Sequence, residues 1–336
     1  MNVDPEYEAL LRGRGATDAE IAAAARGGQH FLNALNTELV VTPRGDMDAQ
    51  GVADAAGIDV DDMVRWWRAL GLADPRMAGA TLGDTDVAMA QTAAVLGSFV
   101  SAATLDDLLR VFGAATRQVA NAGVNAMRVG FEQPLRQAGT SDAAVSQAYD
   151  AVVAGLPGVT QMFDALMRRF IVASVYEQVA INEAGAVQTV QSIVFVDLVD
   201  YTGLTQRVDA ARLAEVLSAF EGAAADVATQ HRGRLVKLLG DGAMLSFGKR
   251  DDAAAARDIV RVELDLPPRR AGVATGAVLT RQGDFYGTVV NLAARLSGVV
   301  GAEEVAVDAS APIAGGEGMP AVVLKGIAEP VEFYRL

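Results

Sequence analysis

The stretch VFVDLVDYTGLT, Val194–Thr205, joins a run of apolar residues to two carboxylates, Asp197 and Asp200, and then turns through Tyr201, Thr202 and Gly203 into a helical pattern. A short apolar run bounded by turn residues predicts a buried strand with Asp197 at its carboxyl end. A charge at that place needs a partner or water, so its neighbours decide what it is for.

Working outward, VQSIVFVDL (Val190–Leu198) is the whole strand, and VDAARLAEVLSAFEGAAADVATQHRG (Val208–Gly233) reads as a long amphipathic helix stopped by Gly233. RLVKLLGDGAMLSFG (Arg234–Gly248) places two apolar strands around Gly240, Asp241 and Gly242, a hairpin signal. A helix over 252–264, a strand in RRAGVATGAVLTRQG (Arg269–Gly283), a helix over 288–300, the strand EVAVD (Glu304–Asp308) and a terminal strand pair within Ala321–Leu336 complete the pattern. This β-α-β-β-α-β order predicts a ferredoxin-like α+β domain.

Upstream the chain reads as helix throughout, with apolar residues at three and four spacing such as Val95, Phe99 and Val100, then Leu105, Leu108, Leu109 and Phe112. The helical pattern of MFDALMRRFIVASVYEQVAINEAGAVQ (Met162–Gln188) runs to about Asn182, and Gly185 reads as its stop. The expected organisation is an all-α domain over 1–158, a helical connector over 159–185 and the α+β domain over 186–336.

Composition sets the outer bounds. A chain of 336 residues with 51% hydrophobic content can bury two cores. Its formal charge of -14 repels a nucleic-acid backbone, and the lack of cysteine excludes disulfides and thiolate metal sites. No signal peptide is evident, and no apolar run approaches the roughly 18 residues of a membrane span, so a cytoplasmic protein without a transmembrane segment is expected. The segment Met47–Pro75 reads helix, Gly57 turn, helix, similar to the helix-turn-helix of bacterial regulators. Its bases are Arg65 and Arg68 alone, set among Asp48, Asp54, Asp59, Asp61, Asp62 and Asp74, which argues against a groove-reading surface. Trp66 and Trp67 on its second helix read as core or interface residues, and no nucleic-acid partner is expected.

A lone Asp at a strand end is ordinarily a solvated cap or turn residue, and Asp200 reads that way. Asp197 and Asp241 are different, because neighbouring central strands of a ferredoxin-like sheet bring them side by side, where two acids repel unless a cation joins them. Oxygen ligands without histidine or cysteine suit Mg2+ or Mn2+ held together with substrate phosphates. Lys237 lies within the apolar strand before Asp241, where a surface-facing lysine is the plain alternative. In DFYGTVVNLAARL (Asp284–Leu296), Asn291 and Arg295 fall four apart on one helical face. Arg295 alone could be a surface residue; an Asn inside a helix needs partners.

These segments resemble class III nucleotidyl cyclases. FVDLVDYT is similar to the family's first metal motif, KLLGDGAML to its second metal and base-reading motif, and DFYGTVVNLAARL to its second base-reading and transition-state motif; LKGIAEPVEFY is a familiar ending. The resemblance covers about residues 188–336. It implies Asp197 and Asp241 as metal ligands, Lys237 and Asp284 as adenine readers, and Asn291 and Arg295 as the ribose-orienting and transition-state residues. Two departures are mild: Leu238 stands where threonine is frequent, and Phe285 where another apolar residue is common.

The resemblance further implies an adenylyl cyclase that converts ATP to 3′,5′-cyclic AMP and pyrophosphate with two Mg2+ or Mn2+ per active site, shared between the chains of a homodimer. The Lys237 and Asp284 pair matches the donor and acceptor pattern of adenine and not that of guanine. The all-helical half resembles domains that regulate soluble bacterial cyclases, in some cases with pH; His30 and His231 are the only histidines available, and an apolar ligand on the helical domain is equally compatible. The other reading is a non-catalytic nucleotide-binding sensor coupled to the helix-turn-helix-like module.

Overall fold

The computed structural model describes residues 3–42, 45–77, 82–182, 189–248, 252–262, 265–309 and 315–336, so the predicted stop at Gly185 and the boundary beside it lie outside the described residues. The chain divides into two compact units, Met1–Ile171 and Val172–Leu336.

The first unit is built from helices. They are α1 (Pro5–Gly13), α2 (Asp18–Gly27), α3 (Gln29–Val41), α4 (Ala49–Ala56), α5 (Val60–Leu70), α6 (Asp84–Gly97), α7 (Ala102–Met127), α8 (Gln133–Gln137), α9 (Asp142–Ala154) and the start of α10 (Leu156–Asn182). Local chemistry sets many of their ends. Thr17 and Glu20 form a reciprocal capping box on α2, Asp48 accepts from the Gly51 N–H on α4, and Asp59 accepts from the Asp61 N–H on α5. Gly57 and Gly71, both left-handed, stop α4 and α5, so the predicted helix, Gly57 turn, helix is present. Trp66 and Trp67 are buried with Val52, Met63, Ala90, Leu105 and Leu109, which makes them core residues, as expected. A second cluster gathers Tyr7, Leu11, Ile21, Leu32, Leu35 and Ala143.

The second unit continues from α10 into β1 (Thr189–Leu198), α11 (Tyr201–Arg207), α12 (Ala210–Gln230), β2 (Arg234–Leu238), β3 (Gly242–Phe247), α13 (Asp252–Arg261), β4 (Arg269–Arg281), β5 (Asp284–Tyr286), α14 (Thr288–Leu296), β6 (Val305–Asp308), β7 (Glu317–Val322) and β8 (Val331–Arg335). The sheet order is β2-β3-β1-β4-β6-β8-β7, with β5 paired to β4. The first four strands are antiparallel neighbours, β6 lies parallel to β4, and β8 and β7 extend the far edge, so the expected β-α-β-β-α-β core carries extra strands. The helix predicted over 288–300 ends as α-helix at Leu296 and tightens into a 3-10 turn over Ser297–Val299.

Both faces of the sheet are covered, and alternation along β1 divides them. Val194, Val196 and Leu198 join Phe220 and Ala224 of α12, Ile259 of α13 and Leu245, Phe247 and Val273. Ile193 and Phe195 face the other way, with Met244, Ala274, Val278, Phe285 and Ala293 of α14. Each fully buried Phe or Leu contributes roughly 1.5–3 kcal/mol against exposure. By the same parity Asp197 belongs to the face covered by α14. Arg269 is buried (5% exposed) and donates to the carbonyls of Ile259, Val260 and Val262 at the end of α13, the partners that make its charge tolerable there. Among the described residues no helix is long and apolar enough to cross a membrane.

Candidate active site

Register brings the two carboxylates together. Asp197 of β1 sits opposite Gly242 of β3, and the Leu198 N–H donates to the Asp241 carbonyl at 2.9 Å. The turn that holds Asp241 is tight because Gly240 is left-handed (φ 78°) and the Leu239 N–H closes on the Gly242 carbonyl at 2.7 Å. Burial pushes the Asp197 carboxyl above its ordinary value; the nearby Asp241 charge adds to this, while the Ser297 hydrogen bond and the Arg270 charge oppose it.

The space around Asp197 fits a cation held by oxygen. A Cβ on Gly242 would lie 2.7 Å from Asp197 Oδ1 and 3.1 Å from the Val196 carbonyl oxygen, so a larger residue there would displace this oxygen. Among the described residues no group of three or more His, Cys, Asp or Glu side chains forms a complete cage. Two carboxylates with open positions suit Mg2+ or Mn2+ completed by phosphate oxygens better than a closed structural ion.

The sequence marks the adjoining residues but not their contacts. Lys237 Nζ lies 2.6 Å from Asp284 Oδ2, which ties β2 to β5, and Asp284 Oδ1 accepts from the Phe285 N–H at 2.8 Å. Asn291 and Arg295 are both exposed, one turn apart on α14. Asp200 is left-handed (φ 58°), exposed, and paired with Arg207 at 2.9 Å, the solvated turn residue its sequence suggested.

Two further residues lie beside Asp197. Ser297 Oγ donates to Asp197 Oδ2 at 2.7 Å, and Arg270 lies opposite Asp197 across the β1–β4 ladder, with its Nε buried and without a hydrogen-bond partner among the described residues. Neither carries a local signal, since both reach Asp197 through sheet register and helix packing. That packing depends on small residues of β4: a Cβ on Gly272 would run into the Ala293 carbonyl and the Ser297 N–H, and one on Gly276 would lie 2.8 Å from Val289 Cγ2.

No family model matches the chain. An adenylate cyclase of Streptomyces coelicolor is 31% identical over 265 residues, covering 76% of this chain and 68% of that protein. An uncharacterized protein of Mycobacterium tuberculosis is 34% identical over 252 residues, 73% of this chain, and this chain spans 66% of that protein's length. Among solved structures, the adenylyl cyclase CyaB from P. aeruginosa covers 44% of this chain and 93% of its own, at 20% identity and a TM-score of 0.38, a likeness too low to add to the topology described above.

Proposed function

Because the chain belongs to the class III adenylyl cyclase family, we propose that it converts ATP to 3′,5′-cyclic AMP and pyrophosphate. The observation that carries this reading is the approach of Asp197 to Asp241 across the β1–β3 pairing, with Asp197 Oδ1 lying against Gly242 next to the Asp241 turn. Asp197 and Asp241 would hold two Mg2+ or Mn2+ ions. When bound, these lower the pKa of the ribose 3′-hydroxyl and neutralise charge on the triphosphate.

The chain's own residues supply the rest. Lys237 donates to an adenine ring nitrogen and Asp284 accepts from the adenine amino group, so the base takes up donors and acceptors that otherwise satisfy each other. Asn291 orients the ribose so that its 3′ oxygen faces the α-phosphorus. The new bond joins those two atoms, the bond from the α-phosphorus to the bridging oxygen breaks, pyrophosphate leaves and the hydroxyl proton passes to solvent. Arg295 offsets the charge that grows on the phosphoryl oxygens, where a fixed cation counts most.

The family pattern has the metal ligands of a site on one chain and its base readers, Asn and Arg on the other, and the exposure of Asn291 and Arg295 supports that arrangement. The working unit is then a symmetric homodimer with two equivalent sites. The helical unit regulates, by pH or by an apolar ligand, through the connector that α10 provides. A DNA-coupled sensor is disfavoured: Arg65 is engaged by Asp62 and Asp106, Arg68 by Asp74, and both tryptophans are buried.

The test is cyclic AMP production by the full chain from ATP and Mn2+. Asp197→Ala and Arg295→Ala should each be silent alone, and mixing them should restore about one quarter of the wild-type rate, since half the dimers pair the two variants and each such dimer has one intact site. No product from the wild-type chain, or full activity in Asp197→Ala, would overturn the proposal.

A further inference from the structure

Asp197 has two oxygens with different surroundings. Oδ2 accepts from the Ser297 hydroxyl at 2.7 Å, while Oδ1 lies over Gly242, towards the turn that carries Asp241. Ser297 is 2% exposed, so no water competes for its hydroxyl. Its other neighbour is the Ala294 carbonyl at 3.0 Å, and its one proton is drawn to the shorter contact with the charged oxygen.

Ser297 is also held firmly. It follows Leu296 as the C-cap of α14, its N–H bonds to the Ala293 and Arg295 carbonyls, and the Gly272 backbone packs directly beneath it. The hydroxyl therefore has a fixed position set by the end of the helix that presents Asn291 and Arg295, and it reaches a strand residue 100 positions earlier in the chain.

We infer that Ser297 is a positioning residue for Asp197: by occupying Oδ2 it fixes the carboxylate so that Oδ1 is presented beside Asp241, and it links the metal end of the site to the register of α14. This rests on the reading of Asp197 as a metal ligand. Without the hydroxyl the carboxylate can rotate about its last bond, and a cation must order it on binding. Partners that orient a ligand in this way are typically worth 10- to 100-fold in metal affinity.

The experiment measures Mn2+ binding to the full chain directly, from the electron paramagnetic resonance signal of free Mn2+, in the presence of 3′-deoxy-ATP, which lacks the attacking hydroxyl. Ser297→Ala removes one oxygen atom and should weaken Mn2+ binding by about tenfold to 100-fold, with little change in the melting temperature. Ser297→Thr, which keeps the hydroxyl, should recover most of it. Wild-type Mn2+ binding by Ser297→Ala while Asp197→Asn loses it would overturn the role of Ser297 and leave the metal reading standing. Equal weakening in the Ala and Thr variants, with both melting early, would mean packing matters and the hydroxyl does not. Wild-type binding by Asp197→Asn would overturn the metal reading itself, and the role of Ser297 with it.

Discussion

Lys237 and Asp284 are 47 residues apart in the chain, and their side chains meet at 2.6 Å. The contact joins the strand leading into the Asp241 turn to the short strand leading into α14, which sets both proposed base readers side by side on one chain.

Nucleotide choice follows from that pair. Asp284→Ala removes the acceptor for an adenine amino group, and a hydrogen bond to a charged partner is worth about 1.5–3 kcal/mol. The ratio of kcat/KM for ATP over GTP should fall by about tenfold or more, with the loss falling on ATP. An unchanged ratio, measured by cyclic nucleotide formation from each substrate, would remove Asp284 from base recognition.

Protonation of Asp197 carries a signed consequence. Burial raises its folded value, so between the ordinary carboxylate value of about 3.9 and the raised one the native chain holds a proton that the unfolded chain has released. This group's contribution to stability is full below the ordinary value and is lost as pH rises through the raised one. Asp197→Asn should therefore melt progressively above the wild type as pH increases through that window in the absence of divalent cations, and Mn2+ with nucleotide should narrow the gap. Parallel melting curves across the window would contradict this.

Close packing of α14 makes its own prediction. Gly272→Val forces side-chain atoms into the Ala293 carbonyl and the Ser297 N–H, so the helix end must shift. The cost should be about 1–3 kcal/mol in urea unfolding, and cyclase activity should drop by more than the fraction of unfolded protein explains. Stability and activity both at wild-type levels would show that the helix does not need that contact.

Much of the fold follows from local pattern. The alternation of Ile193 and Phe195 against Val194, Val196 and Leu198 marks a strand buried on two faces, and its parity already assigns Asp197 to one of them. Gly240, Asp241 and Gly242 announce the hairpin because only glycine adopts the left-handed turn without strain. Thr17 with Glu20, Asp59 and the left-handed Gly57 and Gly71 mark helix ends for equally local reasons. Asp197 and Asp241 stand out in these patterns, while the roles of Lys237, Asp284, Asn291 and Arg295 follow from the family resemblance.

Tertiary structure decided what those residues touch. The Lys237 contact with Asp284, the Arg270 position opposite Asp197 and the Ser297 hydroxyl on Oδ2 all depend on strand register or on how deeply a helix settles on the sheet. Such quantities are sums over many side chains far apart in sequence, so no short window contains them. Periodicity names the face on which Asp197 lies; only the packing of α14 over Gly272 determines that a serine stands there to hold it.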